Sequence, residues 1–189
     1  GSTISREADK VIYTMAGPEI AVASTKAYIT QVTIFYLLAL YIAELKNNIS
    51  ETDYKKYMKE IETISEKVEF ILENHNIIKE TAEFFKDKTN GFYIGRGLDY
   101  KTALEGSLKI KEVSYIHTEA FPAGELKHGT IALIEEGTPI VVIATQKKLI
   151  EKSVSNIKEV KARGAYIITI GYENCTNLKE VSDKFISIP

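Results

Sequence analysis

Four residues between positions 101 and 130, KTALEGSLKIKEVSYIHTEAFPAGELKHGT, are of types that could do chemistry together. Glu105, Lys109 and Glu112 recur at i, i+4 and i+7, and His128 follows in a loop between Gly124 and Gly129. On a helix turning roughly 100° per residue, the three charged side chains fall within about 60° of one another. Leu104, Leu108 and Tyr115 then flank the stripe on one side, Ile116 lies within it, and Val113 and Ile110 flank the other. Only Ser107, Lys111 and Ser114 supply an ordinary solvated face. A carboxylate sheltered from water is pushed toward neutrality and becomes a competent base. An ammonium beside it keeps one carboxylate ionised or steadies an oxyanion on substrate. The plainer alternative is helix decoration, worth about 0.2–0.5 kcal/mol per i, i+4 pair. For His128, the two glycines of GELKHG imply close backbone approach or positive φ. An imidazole placed there suits acid–base work near neutral pH, or simply bonds within its loop.

Other candidates are weaker. Gly95-Arg96-Gly97 falls between a strand and a helix, where a phosphate turn or a tight βα turn would both fit. Val22 to Lys26 opens a long helix, so its N–H groups and hydroxyls either hold an anion or cap the helix. His117, near the end of the motif helix, is expected to interact with the helix dipole, and His75 to be at the surface. Cys175 has no histidine or cation close in sequence and reads as inert.

The elements that must position these groups follow from periodicity. Val11–Met15 (VIYTM) reads as a short strand, and Ser24-Thr25 cap a helix running to about Asn47. A second helix opens at 49–53 and continues to about Glu73; a third covers roughly Ile77 to Lys86. Phe92–Gly95 is a strand, followed by the motif helix. Ile131–Ile134 is a short apolar piece, Pro139–Ala144 a buried strand, and Leu149–Lys161 an amphipathic helix ended by Gly164. Ala165–Ile170 and Phe185–Pro189 are further strands. Near-continuous Val/Ile runs joined by helices predict an α/β fold with a parallel sheet covered on both faces.

The bulk properties exclude several classes. The chain has 189 residues, a formal net charge of −2 and scattered Lys and Arg, so no basic footprint for nucleic acid or a membrane surface is present. A single cysteine cannot form an internal disulfide, which fits a reducing cytoplasm. No CxxC or HExxH spacing occurs. The apolar run Val32–Leu45, about 14 residues, is shorter than the roughly 20 a bilayer span needs, so it is expected to be a buried core helix. The strand at 11–15 has no neighbour for some 70 residues, and a lone strand is unstable. The chain therefore reads as a fragment whose first residues end an earlier α/β unit, although Gly1-Ser2 equally fits a cloning scar.

Three segments carry a resemblance: EIAVASTKAYITQ (19–31), GRGLDYKTALEGSLKIKEVSYIHTEAF (95–121) and GELKHG (124–129). They closely resemble the isomerase half of the glucosamine-6-phosphate synthase family, the glutamine–fructose-6-phosphate amidotransferases, built from two sugar-isomerase (SIS) domains. The likeness runs over essentially the whole chain and is least distinctive at 48–88. It implies a three-layer SIS-type α/β domain at 89–189, a helical linker at 49–88, and at 1–48 the end of a truncated first SIS domain with a long helix. It further implies conversion of fructose 6-phosphate and glutamine-derived ammonia to glucosamine 6-phosphate, without a cofactor or metal.

Carried over by position, Glu112 resembles the base that moves a proton between C1 and C2 of the open-chain sugar. Lys109 and Glu105 resemble its polar companions, and His128 the group assisting ring opening. In that family the histidine serves the other subunit's site, which implies a homodimer. Val22 and Ser24 match positions beside the bound sugar. The glutaminase domain, the phosphate-binding loops of the first SIS domain and the C-terminal tail with its lysine are absent, so this chain alone is expected to lack synthase activity. The family continues KHG with proline, whereas Thr130 follows here. Two other readings are another SIS isomerase or deglycase working without glutamine, and a sugar-phosphate-binding SIS module without turnover.

Overall fold

The computed structural model describes residues 2–189; Gly1, where the cloning-scar reading begins, lies outside them. The chain forms two compact units, residues 1–66 and 67–189.

In the first unit, α1 (Thr3–Glu7) is capped by Ser2, whose Oγ accepts from the Ser5 N–H at 3.3 Å. Residues 8–25 form neither helix nor strand, so the strand expected at Val11–Met15 is absent. A strand exists by pairing, and the described residues offer this segment no partner. The next helix, α2 (Lys26–Leu45), is not capped by the hydroxyl of Thr25. Glu19 does that work instead: its carboxylate accepts from the Ala27 N–H at 3.0 Å and the Thr25 Oγ1 at 3.3 Å. A carboxylate there also meets the positive end of the helix dipole. By length and composition α2 could cross a bilayer, the one such helix among the described residues. None of its residues is buried, which overturns the expected core helix. A helix apolar on every side needs neighbours on every side. Helix α3 (Glu51–Glu62) starts at Ser50, whose Oγ accepts from the Asp53 N–H at 3.1 Å. The chain breaks at Thr63 before α4 (Ile64–Glu73), where one continuous helix was expected; the unit boundary falls inside α4.

The second unit alternates strand and helix: α5 (Asn76–Phe85), β1 (Asn90–Gly95), α6 (Leu98–Ser114), β2 (His117–Pro122), β3 (Pro139–Ala144), α7 (Ile150–Lys161), β4 (Tyr166–Tyr172), α8 (Thr176–Val181) and β5 (Lys184–Ile188). All strand pairs are parallel, in the order β2-β1-β3-β4-β5. The order reverses between β1 and β3, the place where open α/β sheets leave a crevice at their carboxyl ends. Every residue of β3 is buried, as its unbroken apolar run predicts. On one face Ile94, Ile140, Val142 and Ile167 pack with Ile157 and Val160 of α7 and Leu178 of α8. On the other, Tyr93, Val141, Ile143 and Ile168 pack with Phe85 of α5 and Ala103 of α6. The result is three layers, the expected architecture.

Two elements depart from expectation. HTEAFP forms the edge strand β2, so His117 begins a strand rather than ending the motif helix. Its Nε2 lies 3.4 Å from Glu119 Oε1. Only Thr118 of β2 is buried, and an edge strand needs no apolar run. Ile131–Leu133 of the apolar piece belong to a 3-10 turn, Thr130–Leu133, and Ile134 follows it in extended conformation.

Candidate active site

Helix α6 carries the charged stripe, and close packing fixes where it sits. A Cβ on Gly95 would lie 2.5 Å from the backbone carbon of Asp99, so the end of β1 touches the first turn of α6. Farther along, a Cβ on Gly106 would meet the Tyr93 ring at 2.8 Å. The Tyr93 hydroxyl is pushed up to about 12 by burial. Asp99 is 5% exposed and ties α6 to the loop after β3. Its carboxylate accepts from the Thr145 N–H at 2.9 Å, the Thr145 hydroxyl at 2.6 Å and the Gln146 N–H at 3.3 Å. The Gly95-Arg96-Gly97 turn thus closes on protein as a tight βα turn, with Gly97 at φ +56°.

Ser107 fastens the middle of the helix to the edge strand. Its hydroxyl donates to Thr118 O at 2.9 Å, and the Thr118 hydroxyl donates back to Ser107 O at 2.8 Å. Ser107 is 2% exposed, so it does not belong to a solvated face as expected. Reciprocal hydrogen bonds satisfy both hydroxyls and make burial affordable. The sequence pattern placed the stripe correctly but assigned the buried side wrongly. Of the apolar flanks, Leu104, Leu108, Val113 and Tyr115 are exposed, and Lys111 and Ser114 are exposed as expected.

The stripe itself is assembled as the spacing implied. Lys109 Nζ lies 2.6 Å from Glu112 Oε2 and 3.4 Å from Glu105 Oε1. The three side chains are 23% (Lys109), 23% (Glu105) and 30% (Glu112) exposed, half-sheltered rather than freely solvated. The Lys109 ammonium is held above its ordinary value, chiefly by its hydrogen bond to Glu112 and, against some desolvation, by Glu105. The arrangement offers two carboxylates with a fixed cation between them. A proton can be taken and returned at one end while negative charge is balanced at the centre.

His128 ends a 3-10 turn, Leu126–His128, and its N–H donates to Glu125 O at 3.0 Å. Its ring is exposed and makes no hydrogen bond or ion pair with the stripe among the described residues. Val22 and Ser24 belong to the first unit, in the segment before α2; Val22 is exposed and Ser24 half-buried. Among the described residues no three of His, Cys, Asp or Glu converge to hold a metal ion. Sequence reasoning missed Asp99, and it missed Asn156, which Arg96 contacts. Asp99 was visible only as an acid in the first helical turn, a common and unspecific signal.

The SIS domain family profile matches residues 83–189, which contain the whole sheet, the stripe and His128. The chain belongs to the SIS domain family. Among curated relatives it is 54% identical over 189 residues to the glutamine–fructose-6-phosphate aminotransferase (isomerizing) of Caldanaerobacter subterraneus subsp. tengcongensis. It is 55% identical over 188 residues to the enzyme of that name from Fusobacterium nucleatum subsp. nucleatum. In both cases the alignment covers 100% of this chain and 31% of the relative, so the chain spans about a third of those proteins. Among solved structures, the C-terminal domain of glucosamine-fructose-6-phosphate aminotransferase from Francisella tularensis superposes with a TM-score of 0.92 at 40% identity. That match covers 99% of this chain and 53% of the other. A glucosamine-6-phosphate deaminase from Thermotoga maritima, 22% identical with a TM-score of 0.68, covers 90% of this chain and 49% of its own; it shares the SIS fold alone.

Proposed function

We propose that this chain is part of the isomerase half of a glutamine–fructose-6-phosphate aminotransferase. The observation that carries the reading is the half-sheltered Glu105–Lys109–Glu112 stripe, with Lys109 bridging both carboxylates, on a helix seated rigidly by Asp99 and Ser107. Identity above 50% to enzymes of that name across the whole chain supports it.

In this reading ammonia released from glutamine by a glutaminase domain condenses with the C2 carbonyl of open-chain fructose 6-phosphate, releasing water. Glu112 takes the proton from C1 and returns it to C2, while the C1 hydroxyl gives up its proton, one is gained at the C2 nitrogen, and C1 becomes the aldehyde of glucosamine 6-phosphate. Lys109 balances the charge that develops on the enediol-like intermediate, and Glu105 holds Lys109 in place. His128 assists ring opening, in the site of the second subunit of a homodimer. Val22 and Ser24 lie beside the sugar. Residues 1–48 end a first SIS domain, 49–88 link, and 89–189 form a second SIS domain. The family match beginning at residue 83 supports that division. The lone Cys175 fits a cytoplasmic protein. Thr30, Gln31, Thr33 and Glu44 within α2 favour a packing helix over a membrane span.

The test is Glu112→Gln in the full-length gene product, assayed for isomerisation of fructose 6-phosphate. Turnover is expected to fall about 10²- to 10⁴-fold, the usual contribution of a positioned proton-transfer group. Unchanged turnover would sink the assignment.

A further inference from the structure

We propose that Arg96 is a positioning residue for the Gly124–Gly129 loop, fixing the segment that presents His128. The consequence for catalysis rests on the isomerase reading; the positioning itself does not.

The guanidinium of Arg96 is held by a single buried acceptor. Its Nε and Nη2 both donate to Asn156 Oδ1, at 3.0 and 2.7 Å. Asn156 is itself 4% exposed on α7, and its Nδ2 donates to Glu159 Oε2 at 3.3 Å. The Arg96 main chain is held as well, since the Gln146 side-chain amide donates to its carbonyl at 2.7 Å. A Cβ placed on Gly124 would lie 3.2 Å from Arg96 Nη2, the nitrogen that also donates to Asn156. The loop backbone therefore rides directly on the guanidinium, and glycine leaves room for that approach.

Backbone hydrogen bonds on either side of this contact hold the loop as far as the histidine. The Ala123 N–H donates to Gly95 O at 2.9 Å, the Glu125 N–H to Pro122 O at 2.8 Å, and the His128 N–H to Glu125 O at 3.0 Å. Arg96 is planar, and two of its donors converge on one acceptor, which fixes the plane as well as the position of its head. A lysine's single ammonium cannot supply that surface. Two of the arginine's donors are thus committed inside the protein, to a buried side chain that fixes its head.

Hydrogen exchange on the full chain tests the positioning. Arg96→Ala is expected to speed exchange at the Ala123, Glu125 and His128 amides by about 10-fold, leaving Ile140 and Val142 in β3 unchanged, the pattern of local opening. Arg96→Lys should fail to restore protection. Gly124→Ala leaves the arginine in place but crowds its Nη2 from the loop side, and should give the same loop-confined effect. No change at these amides, or acceleration spread equally over the sheet, overturns the proposal.

Kinetics of the full-length protein then test the catalytic consequence. Two sugars are compared: fructose 6-phosphate, and an analogue lacking the ring-closing hydroxyl and so permanently open. Arg96→Ala should cost about 10-fold in kcat/KM on the first and less than about 2-fold on the second. Equal losses, or none, overturn the link to His128. If the unaltered protein turns over neither sugar, the isomerase reading fails, while the exchange data still decide whether Arg96 holds the loop.

Discussion

Lys109 sits between Glu112 and Glu105 as a cation shared by two carboxylates. Its hydrogen bond to Glu112 raises its proton affinity above the ordinary 10.5, so it stays charged throughout the neutral range. The sign follows: a raised folded-state value contributes stability fully present below 10.5 and lost as pH rises through the higher folded value. Solvent screening keeps that contribution small. In the proposed isomerase reaction the effect would be larger, because the charge would be aimed at one place. Lys109→Met is expected to lower kcat about 10²-fold, in the range seen when one fixed charge-stabilising donor is removed. A pH–rate profile of the unaltered enzyme should show no alkaline limb from Lys109 below 10.5. The stripe was legible in the sequence because helical spacing is a local property. Which side of the helix faces the sheet was not. Apolar residues lie on both sides of the stripe, and the buried side instead holds Ala103 and the satisfied hydroxyl of Ser107.

At the level of elements, the position of α6 is set by two glycines and two polar latches. Gly106→Ala drives a methyl into the Tyr93 ring at 2.8 Å, a contact that forces the helix or the ring to move. We expect a loss of about 1–3 kcal/mol, the usual cost of overpacking, measured by chemical denaturation. Turnover should fall further than stability alone explains, since the stripe shifts with the helix. Gly95 is stricter, because its added Cβ would meet the Asp99 backbone, which has no rotamer to change. The buried strands β3 and β4 were readable from their Val/Ile runs and β1 from the apolar Phe92-Tyr93-Ile94 before its glycine turn, as were the long helices from their period. The edge strand β2 and the short helix α8 were not, because HTEAFP and TNLKEV bury too little to show a pattern. The cap of α2 escaped for a related reason. Glu19 reaches it from eight residues before the Ala27 N–H, beyond the reach of local capping rules.

For the whole molecule, the isomerase reading carries a prediction about assembly. If His128 serves a partner's site, mixing and re-associating the inactive Glu112→Gln and His128→Ala proteins should restore activity. Half the dimers would be mixed, each with one intact site, giving about a quarter of the unaltered rate. No recovery would place both residues in one subunit's site. Sequence by itself determined the chemistry on offer: the residue types of the stripe, the glycine-bracketed histidine, the parallel α/β class and the family likeness. All of these depend on short-range spacing or on unbroken apolar runs. Only the tertiary structure decided that Ser107 faces the sheet, that Asp99 locks α6 to the loop after β3, and that Arg96 lies against Gly124 and Asn156. Those contacts join residues 11 to 60 positions apart. Strand order and close packing bring such pairs together, and neither is written in any local stretch of the chain.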